Sequence, residues 1–297
     1  MSVRQAQDNM NIEKFDPKLL KKLYVPAPKS KKGENGKVLI IGGSELFHSP
    51  AFWAFEVASR IVDMVYFAST PLNNEILKGL KGKFINGILV PRGRVFDYIE
   101  EADSILIGPG LPRDDGLGEE EESTKIITET LLSRYPHKKW VVDGGSLQVI
   151  KLEILPKNCI ITPNAKEFSK LFNFQFSISN FQSNPNDQII KIQNKVSEFA
   201  KKYRITILLK SPVDIISNGE KNIMVSGGNA GMTKGGTGDV LAGLVTAFYA
   251  KNDAYLSTTC ASFINKKAGE SLGKKVGIYF NASDLVAEIP KIMKKYI

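Results

Sequence analysis

The segment Asn229-Ala-Gly-Met-Thr-Lys-Gly-Gly-Thr-Gly-Asp-Val-Leu-Ala-Gly243 decides how this chain is interpreted, because it joins a glycine-rich turn to an apolar helical pattern. Glycines can turn backbone amides toward a ligand through dihedral angles that other residues avoid. The N-terminus of the helix that follows adds the positive end of its dipole. The glycines Gly235, Gly236 and Gly238 therefore predict an anion-binding turn.

Asp239 is the unexpected residue of this turn, since it places a negative charge where a phosphate would bind. A carboxylate beside an anion site is typical of a base that removes a proton from an acceptor hydroxyl while the amides stabilise the transferring phosphoryl group. The alternative is a turn in which Asp239 is only the N-cap of a helix. The whole segment, with Lys234 and Thr237 between the glycines, favours phosphoryl transfer.

The composition indicates a globular protein that attracts anions. Of its 297 residues 42% are hydrophobic and 24% charged, and the formal net charge is +9. Such a balance favours anionic ligands, including nucleotides. The sequence carries no basic and aromatic stripe typical of proteins that bind DNA or RNA, and no apolar run of transmembrane length. We therefore expect a cytoplasmic protein that binds neither nucleic acid nor membranes.

Much of the positive charge precedes the first apolar strand pattern. Seven lysines lie there: Lys14, Lys18, Lys21, Lys22, Lys29, Lys31 and Lys32. We predict a basic N-terminal arm at residues 1–30, with one short helix near Pro17–Tyr24, and a single catalytic domain at residues 31–297.

Short apolar runs alternate with helical patterns along most of the remaining chain, which is typical of a mainly parallel sheet covered by helices on both faces. The predicted strands are Lys37–Ile41, Val65–Ala68, Gly87–Val90, Ser104–Ile107, Trp140–Val142, Ile160–Thr162 and Ile205–Leu209. The predicted helices are Ala51–Val65, Thr124–Arg134, Lys166–Phe172, Gln188–Tyr203, Val240–Ala250, Ser257–Leu272 and Ser283–Met293. Asn218-Gly219 predicts a hairpin between Asp214–Ser217 and Lys221–Val225, and with it an antiparallel edge.

Polar and glycine-rich clusters follow the carboxyl ends of several predicted strands. These clusters are Gly42–Ser44, Gly108–Gly110, Asp143–Ser146, Thr162–Glu167 and Lys210–Ser211. In an open α/β sheet, ligands bind at that edge. The sequence therefore predicts one large site there, which Gly235–Asp239 completes.

Several of these segments together resemble the ribokinase-like superfamily, and within it the ADP/ATP-dependent NAD(P)H-hydrate dehydratases. The segments that carry the resemblance are Thr162–Phe168, Leu209-Lys210 and Asn229–Gly243, supported by Ser30–Ser44, Asp103–Leu111, Val141–Leu147 and Phe280–Pro290. The resemblance implies a three-layer α/β/α fold with a mainly parallel central sheet. It also implies phosphorylation of the 6-hydroxyl of hydrated NADH or NADPH by ADP or ATP, followed by elimination of phosphate.

By the same resemblance, Asp239 acts as the base and the turn Gly236, Thr237 and Gly238 holds the phosphate. The residues implied to bind the adenine nucleotide are Lys210, Ser211, Pro212, Val213, Asp214, Gly235 and Gly238. Those implied to contact the hydrated nicotinamide substrate are Asn164, Gly110, Pro50 and Asp239. The family also implies a homo-oligomer, often a tetramer.

Asn164 and Glu167 are open to two interpretations. Their spacing matches the Asn-x-x-Glu signature of ribokinase-like enzymes, in which they would orient Mg²⁺ through water; the hard oxygen ligands suit this ion. The same spacing matches a helix capping pattern.

The chain also departs from the family pattern, chiefly where the nicotinamide would bind. Asn164 stands in place of a histidine, Lys166 in place of a glycine, and Pro112 replaces the last glycine of a Gly-Pro-Gly-Leu-Gly stretch. Two alternatives to the dehydratase follow: a kinase of the same fold acting on a vitamin precursor or sugar-like alcohol, and a non-catalytic adenylate-binding relative.

Overall fold

The computed structural model describes residues 13–79, 86–112, 123–174 and 185–297. These residues form one sheet, in the order β1-β10-β9-β8-β7-β6-β5-β2-β3-β4. Its strands are β1 (Glu13–Lys14), β2 (Lys37–Ile41), β3 (Met64–Ser69), β4 (Ile88–Pro91), β5 (Ser104–Ile107), β6 (Lys139–Val142), β7 (Ile160–Ile161), β8 (Thr206–Leu209), β9 (Val213–Ser217) and β10 (Asn222–Ser226).

Helices cover both faces of the sheet. They are α1 (Ser49–Ala58), α2 (Pro71–Gly79), α3 (Phe96–Ile99), α4 (Thr124–Arg134), α5 (Gly144–Val149), α6 (Ala165–Leu171), α7 (Pro185–Tyr203), α8 (Thr237–Tyr249), α9 (Ala254–Val276) and α10 (Ala282–Tyr296). The fold is thus the predicted three-layer α/β/α arrangement.

Alternation along the strands divides the interior into two cores. In β2, Ile40 packs into the core beneath α1, α8, α9 and α10, whereas Leu39 and Ile41 pack into the core on the opposite face. Successive side chains of a strand point to opposite faces, so continuous apolar strands such as β2 are required where both faces are covered. Each such side chain, once fully buried, stabilises the fold by about 2 kcal/mol.

The mainly parallel sheet and its hairpin are confirmed. Strands β2 to β8 pair in parallel, and β9 pairs antiparallel with both β8 and β10. The sequence analysis placed α4 and β5 at their observed bounds and missed α2, α3 and α5. Helix α1 also ends earlier than predicted, at Ala58, and a turn separates it from β3.

The described part of the N-terminal segment packs against the domain. A 3₁₀ helix occupies Pro17–Lys22, capped by the side chain of Asp16. Leu20 is fully buried, and the ring of Phe15 stacks on that of Phe263 with centroids 4.4 Å apart. The lysines of this helix are exposed, so its charge faces solvent while its apolar side is buried. The division of the chain at residue 30 stays a prediction.

The crossovers of the parallel sheet bring the loops after β2, β5, β6, β7 and β8 to one edge. Among the described helices, none is long and apolar enough to cross a membrane.

Candidate active site

The glycine turn leads directly into α8, as the sequence predicts; that it binds an anion stays a prediction. Gly236 is the N-cap of α8, with φ +93°. A Cβ built on Gly236 would lie 2.3 Å from the Trp53 ring and 2.8 Å from the Cβ of Ala282. Both the backbone conformation and the space therefore require glycine here. A Cβ on Gly235, by contrast, would meet nothing within 4 Å, so this side of the turn is open.

The turn keeps several amide groups available. Within the described residues, the amides of Gly235, Gly236 and Gly238 make no hydrogen bond to another residue. Thr237 differs, because its hydroxyl donates to the carbonyls of Met232 (2.6 Å) and Lys234 (3.0 Å) and its amide also donates to Lys234. Thr237 thus holds the turn closed, while the three glycine amides remain without a hydrogen-bond partner among the described residues.

Lys234 serves the shape of the turn as well. Its ammonium donates to the carbonyl of Ile278 and, over 2.7 Å, to that of Phe280. These bonds connect the turn to the segment between α9 and α10. The positive charge is therefore already coordinated by protein carbonyls in this structure.

Asp239 lies in the first turn of α8 and is not its N-cap, so the capping alternative does not hold. The residue as a whole is half-buried. Burial, reinforced by the nearby Asp143 carboxylate and opposed by Lys210, raises the pKa of Asp239 to about 7. A base with a pKa near neutrality suits proton abstraction from a hydroxyl.

Lys210 reaches across the site from the end of β8. Its Nζ lies 2.7 Å from Oδ1 of Asp143, which follows β6, and the same oxygen accepts a 2.8 Å hydrogen bond from Thr162 Oγ1. Burial disfavours the ammonium form, but the carboxylates of Asp143 and Glu167 outweigh it and raise the pKa of Lys210. A Cβ on Gly238 would lie 3.4 Å from this Nζ, so the ammonium stands against the first turn of α8.

Asn164 and Glu167 form a reciprocal capping box at the start of α6. Asn164 Oδ1 accepts from the amides of Lys166 (2.9 Å) and Glu167 (3.0 Å), and Glu167 Oε2 accepts from the amide of Asn164 (2.8 Å). The capping interpretation is therefore confirmed for these two residues, and the metal-orienting interpretation stays a prediction. Glu167 is nevertheless close enough to raise the pKa of both Asp239 and Lys210.

The predicted nucleotide loop, residues 210–214, leaves the edge between β8 and β9. Pro212 is exposed, and Ser211 and Val213 are half-buried. Asp214 turns inward: it is 4% exposed, its carboxylate accepts from the Ser211 amide at 2.9 Å, and burial raises its pKa. Asp214 thus holds the loop from the interior, whereas Pro212 faces solvent.

Gly110 and Pro50 lie at the end of the site nearest β2. Gly110 has φ +70°, and a Cβ there would lie 2.3 Å from the carbonyl oxygen of Phe47. Pro50 stands in the first turn of α1, directly after that loop. Gly110 therefore packs against the loop that leads into the helix carrying Pro50.

Two residues near the site had no clear signal in the sequence. Trp53 lies against the glycine turn and donates from Nε1 to Ser283 Oγ at 3.0 Å. Arg92, at the end of β4, donates from Nη2 to the carbonyls of Gly42 (2.7 Å) and Gly43 (2.6 Å). Local spacing does not reveal either contact, because each partner is far away in the chain.

The donor set does not form a protein cage for a metal ion. In the ranges that the structure describes, no group of three or more His, Cys, Asp or Glu side chains is arranged to bind one. The side-chain oxygen of Asn164, Oδ1, already accepts two amide hydrogens. The site therefore fits Mg²⁺ as this ion usually binds phosphates, retaining waters and relying on the phosphate oxygens.

A mainly parallel α/β sheet whose carboxyl edge carries an open glycine turn, Asp239 and a paired lysine has the architecture of the ribokinase-like fold. The family model for NAD(P)H-hydrate dehydratase (Carb_kinase) matches residues 38–291. The chain belongs to this family.

Relatives of known sequence agree. The chain is 35% identical to the ADP-dependent (S)-NAD(P)H-hydrate dehydratase of Nitrosopumilus maritimus, covering 93% of this chain and 96% of that protein. It is 34% identical to the bifunctional NAD(P)H-hydrate repair enzyme of Methanocaldococcus jannaschii, covering 93% of this chain and 51% of that protein. The chain thus spans about half the length of the bifunctional relative.

Solved structures support the fold. The ADP/ATP-dependent NAD(P)H-hydrate dehydratase of Bacillus subtilis, crystallised with ATP and Mg²⁺, superposes with a TM-score of 0.80 at 20% identity, over 97% of this chain and 100% of that one. A ribokinase-like protein of Enterococcus faecalis gives 0.78 at 22% identity, over 96% of each chain.

Proposed function

We propose that the protein uses ADP or ATP to dehydrate the S form of hydrated NADH or NADPH and so restores the reduced nicotinamide. The observation that carries this proposal is the position of Asp239, with its raised pKa, in the first turn of a helix whose entry amides lack protein partners. A binding protein would gain nothing from a carboxylate beside an anion site. A phosphotransferase needs one to deprotonate the acceptor.

In the first step, Asp239 takes the proton of the 6-hydroxyl. The hydroxyl oxygen attacks the terminal phosphorus of the nucleotide at the same time. The bond between that phosphorus and the bridging oxygen breaks, and the shortened nucleotide leaves with the electron pair. The amides of Gly235, Gly236 and Gly238 stabilise charge on the transferring group, as preorganised donors do. Lys210, held by Asp143, adds a positive charge against the same turn.

In the second step, the C6–oxygen bond breaks and inorganic phosphate leaves with its electrons. Loss of a proton from the neighbouring ring carbon then restores the double bond of the nicotinamide. The open turn that received the phosphoryl group is suited to hold the departing phosphate, since its donors remain in place.

We further propose that Mg²⁺ accompanies the nucleotide, with Glu167 and Asn164 contacting its waters. When bound, the ion neutralises charge on the polyphosphate. Glu167 suits this role because its carboxylate is fixed by the Asn164 amide and influences both Lys210 and Asp239.

We also propose a cytoplasmic homo-oligomer, a tetramer as in many members of the family. Size-exclusion chromatography with light scattering would test the assembly; a monomer at micromolar concentration would contradict it.

The activity is tested by incubating the protein with Mg²⁺, either ADP or ATP, and the purified S or R epimer of hydrated NADH, while following NADH absorbance. We expect NADH to return with at least one nucleotide, and only from the S form. No NADH with either nucleotide would refute the proposal. Nucleotide consumption with other alcohols would then identify a kinase.

A further inference from the structure

Lys266, in the middle of α9, is a lysine buried in the protein interior. It is 6% exposed, and its Nζ donates to the carbonyls of Ser211 (2.9 Å) and Pro212 (3.1 Å). The same ammonium lies 3.2 Å from Oδ1 of Asp214. Ser211 and Pro212 lie between β8 and β9, and Asp214 is the second residue of β9.

Asp214 completes this arrangement from the other side. It is 4% exposed, and its carboxylate accepts from the amide of Ser211 (2.9 Å) and from Oγ of Ser262 (2.7 Å), one turn before Lys266 on α9. One buried ion pair therefore binds the loop through an amide and two carbonyls. Burying two charges costs several kcal/mol per ion in lost hydration, and the attraction within the pair only offsets that cost.

An apolar side chain would fill the same space without that cost. The ammonium of Lys266 is therefore explained by the loop carbonyls that it binds. We propose that Lys266 is a positioning residue for the nucleotide: it fixes the loop Lys210–Val213 in the shape that receives the adenosine part of ADP or ATP. With the two carbonyls turned inward to Lys266, the exposed ring of Pro212 and the half-buried Val213 form the outer face of the loop.

The inference rests on the proposed function, since only that function assigns the loop to a nucleotide. It also accounts for the fixed position of Lys210, which begins the loop. The backbone amide of Lys210 donates to the carbonyl of Pro163 over 2.8 Å, and its ammonium donates to Asp143. A loop held at both ends and from behind keeps the ammonium of Lys210 at the first turn of α8.

The test is Lys266→Met, which keeps the length of the side chain and removes the charge. We expect the Kd for ADP and the KM for the nucleotide to rise about tenfold, with the KM for hydrated NADH within twofold of wild type. The matched control is Lys267→Met, because Lys267 is the next residue of α9 and contacts Glu270 and the Phe263 ring within the same helix. This control should leave both constants unchanged.

Lys266→Met leaves the carboxylate of Asp214 buried without its cation and is expected to lower stability. The double variant Asp214→Asn, Lys266→Met removes that unpaired charge as well. Ser262→Ala removes one hydrogen bond to Asp214 and leaves the ion pair with Lys266 in place. The double variant should show the same rise in nucleotide Kd, and Ser262→Ala about a threefold rise, with circular dichroism confirming the fold of each.

The outcomes separate the two proposals. If the wild-type protein restores NADH and all three variants keep its nucleotide Kd and KM, Lys266 is only structural and this inference is wrong. An equal rise in the KM of both substrates would lead to the same conclusion. If the wild-type protein binds neither ADP nor ATP in calorimetry, the proposed function fails and the inference fails with it.

Discussion

Nζ of Lys210 lies 2.7 Å from Oδ1 of Asp143, although the two residues are 67 positions apart in the chain. Asp143 is 2% exposed, and the side chain of Lys210 is 19% exposed. The pair joins the ends of two strands beside the glycine turn. The same ion pair therefore stabilises this edge of the sheet and holds the Lys210 ammonium in the site.

Lys210→Met should lower the free energy of unfolding by about 3 kcal/mol, because it leaves the buried carboxylate of Asp143 without its cation. The double variant Asp143→Asn, Lys210→Met should recover most of that loss, since no uncompensated charge remains. Urea unfolding measures both. Turnover should stay low in both variants, and additive losses of stability in the double variant would show that the pair is not coupled.

Asp239→Asn should reduce turnover about 10³-fold, the usual contribution of a general base. The amide is nearly the same size as the carboxylate, so the anion site should remain intact and the Kd for ADP should change little. Steady-state kinetics and calorimetry measure the two effects. Turnover close to that of wild type would show that Asp239 has no part in the chemistry.

The pH dependence follows from the same carboxyl group. Its pKa is raised from 3.8 to about 7, so kcat/KM should fall below pH 7 as the base becomes protonated and level off above it. A profile that stays flat from pH 5 to pH 8 would contradict the assignment of Asp239 as the base.

The contribution of Asp239 to folding stability should fall as pH rises, whereas kcat/KM should rise. Between about pH 4 and pH 7 the folded state binds the Asp239 proton more tightly than the unfolded state, so this group lowers stability as pH rises. Asp239→Asn should therefore raise the Tm relative to wild type above pH 7. The difference should vanish below pH 4, where the carboxyl is protonated in both states. Scanning calorimetry across this range tests the sign.

Gly236→Ala and Gly235→Ala should separate the structural and binding roles of the turn. At Gly236 the positive φ and the Trp53 ring oppose a Cβ, so we expect a loss of about 2 kcal/mol in stability together with weaker ADP binding. At Gly235 the added methyl meets no protein atom, so stability should stay within about 0.5 kcal/mol. ADP binding should still weaken there, because the methyl projects into the open side of the turn. Equal losses of stability in both variants would contradict this separation.

Much of the fold could be predicted because its signals are local. Continuous apolar strands such as Ser104–Ile107 and the Asn218-Gly219 turn identify a covered parallel sheet with a hairpin. Helix α5 was missed because the two glycines at its start, Gly144 and Gly145, are typical of a loop. The short α3 offers too few turns for a periodic pattern.

The site was only partly predictable for a related reason. Asp239, Lys210 and Asp143 were recognisable because each follows a strand or begins a helix, but the pairing of Lys210 with Asp143 depends on strand order, which local patterns do not encode. Asp214 was itself expected to bind the nucleotide, yet its side chain is buried. A lysine within a helix is normally solvated, so nothing in the sequence marked Lys266 as buried.

The order of the strands has a consequence for how this protein acquires activity. Asp143, Lys210 and Asp239 meet only after β6, β7 and β8 have aligned and α8 has packed over them, and such distant pairings form slowly. No fragment of the chain that ends before residue 239 contains the base. In refolding from urea, recovery of turnover should therefore coincide with the slowest kinetic phase, while helical circular dichroism returns earlier.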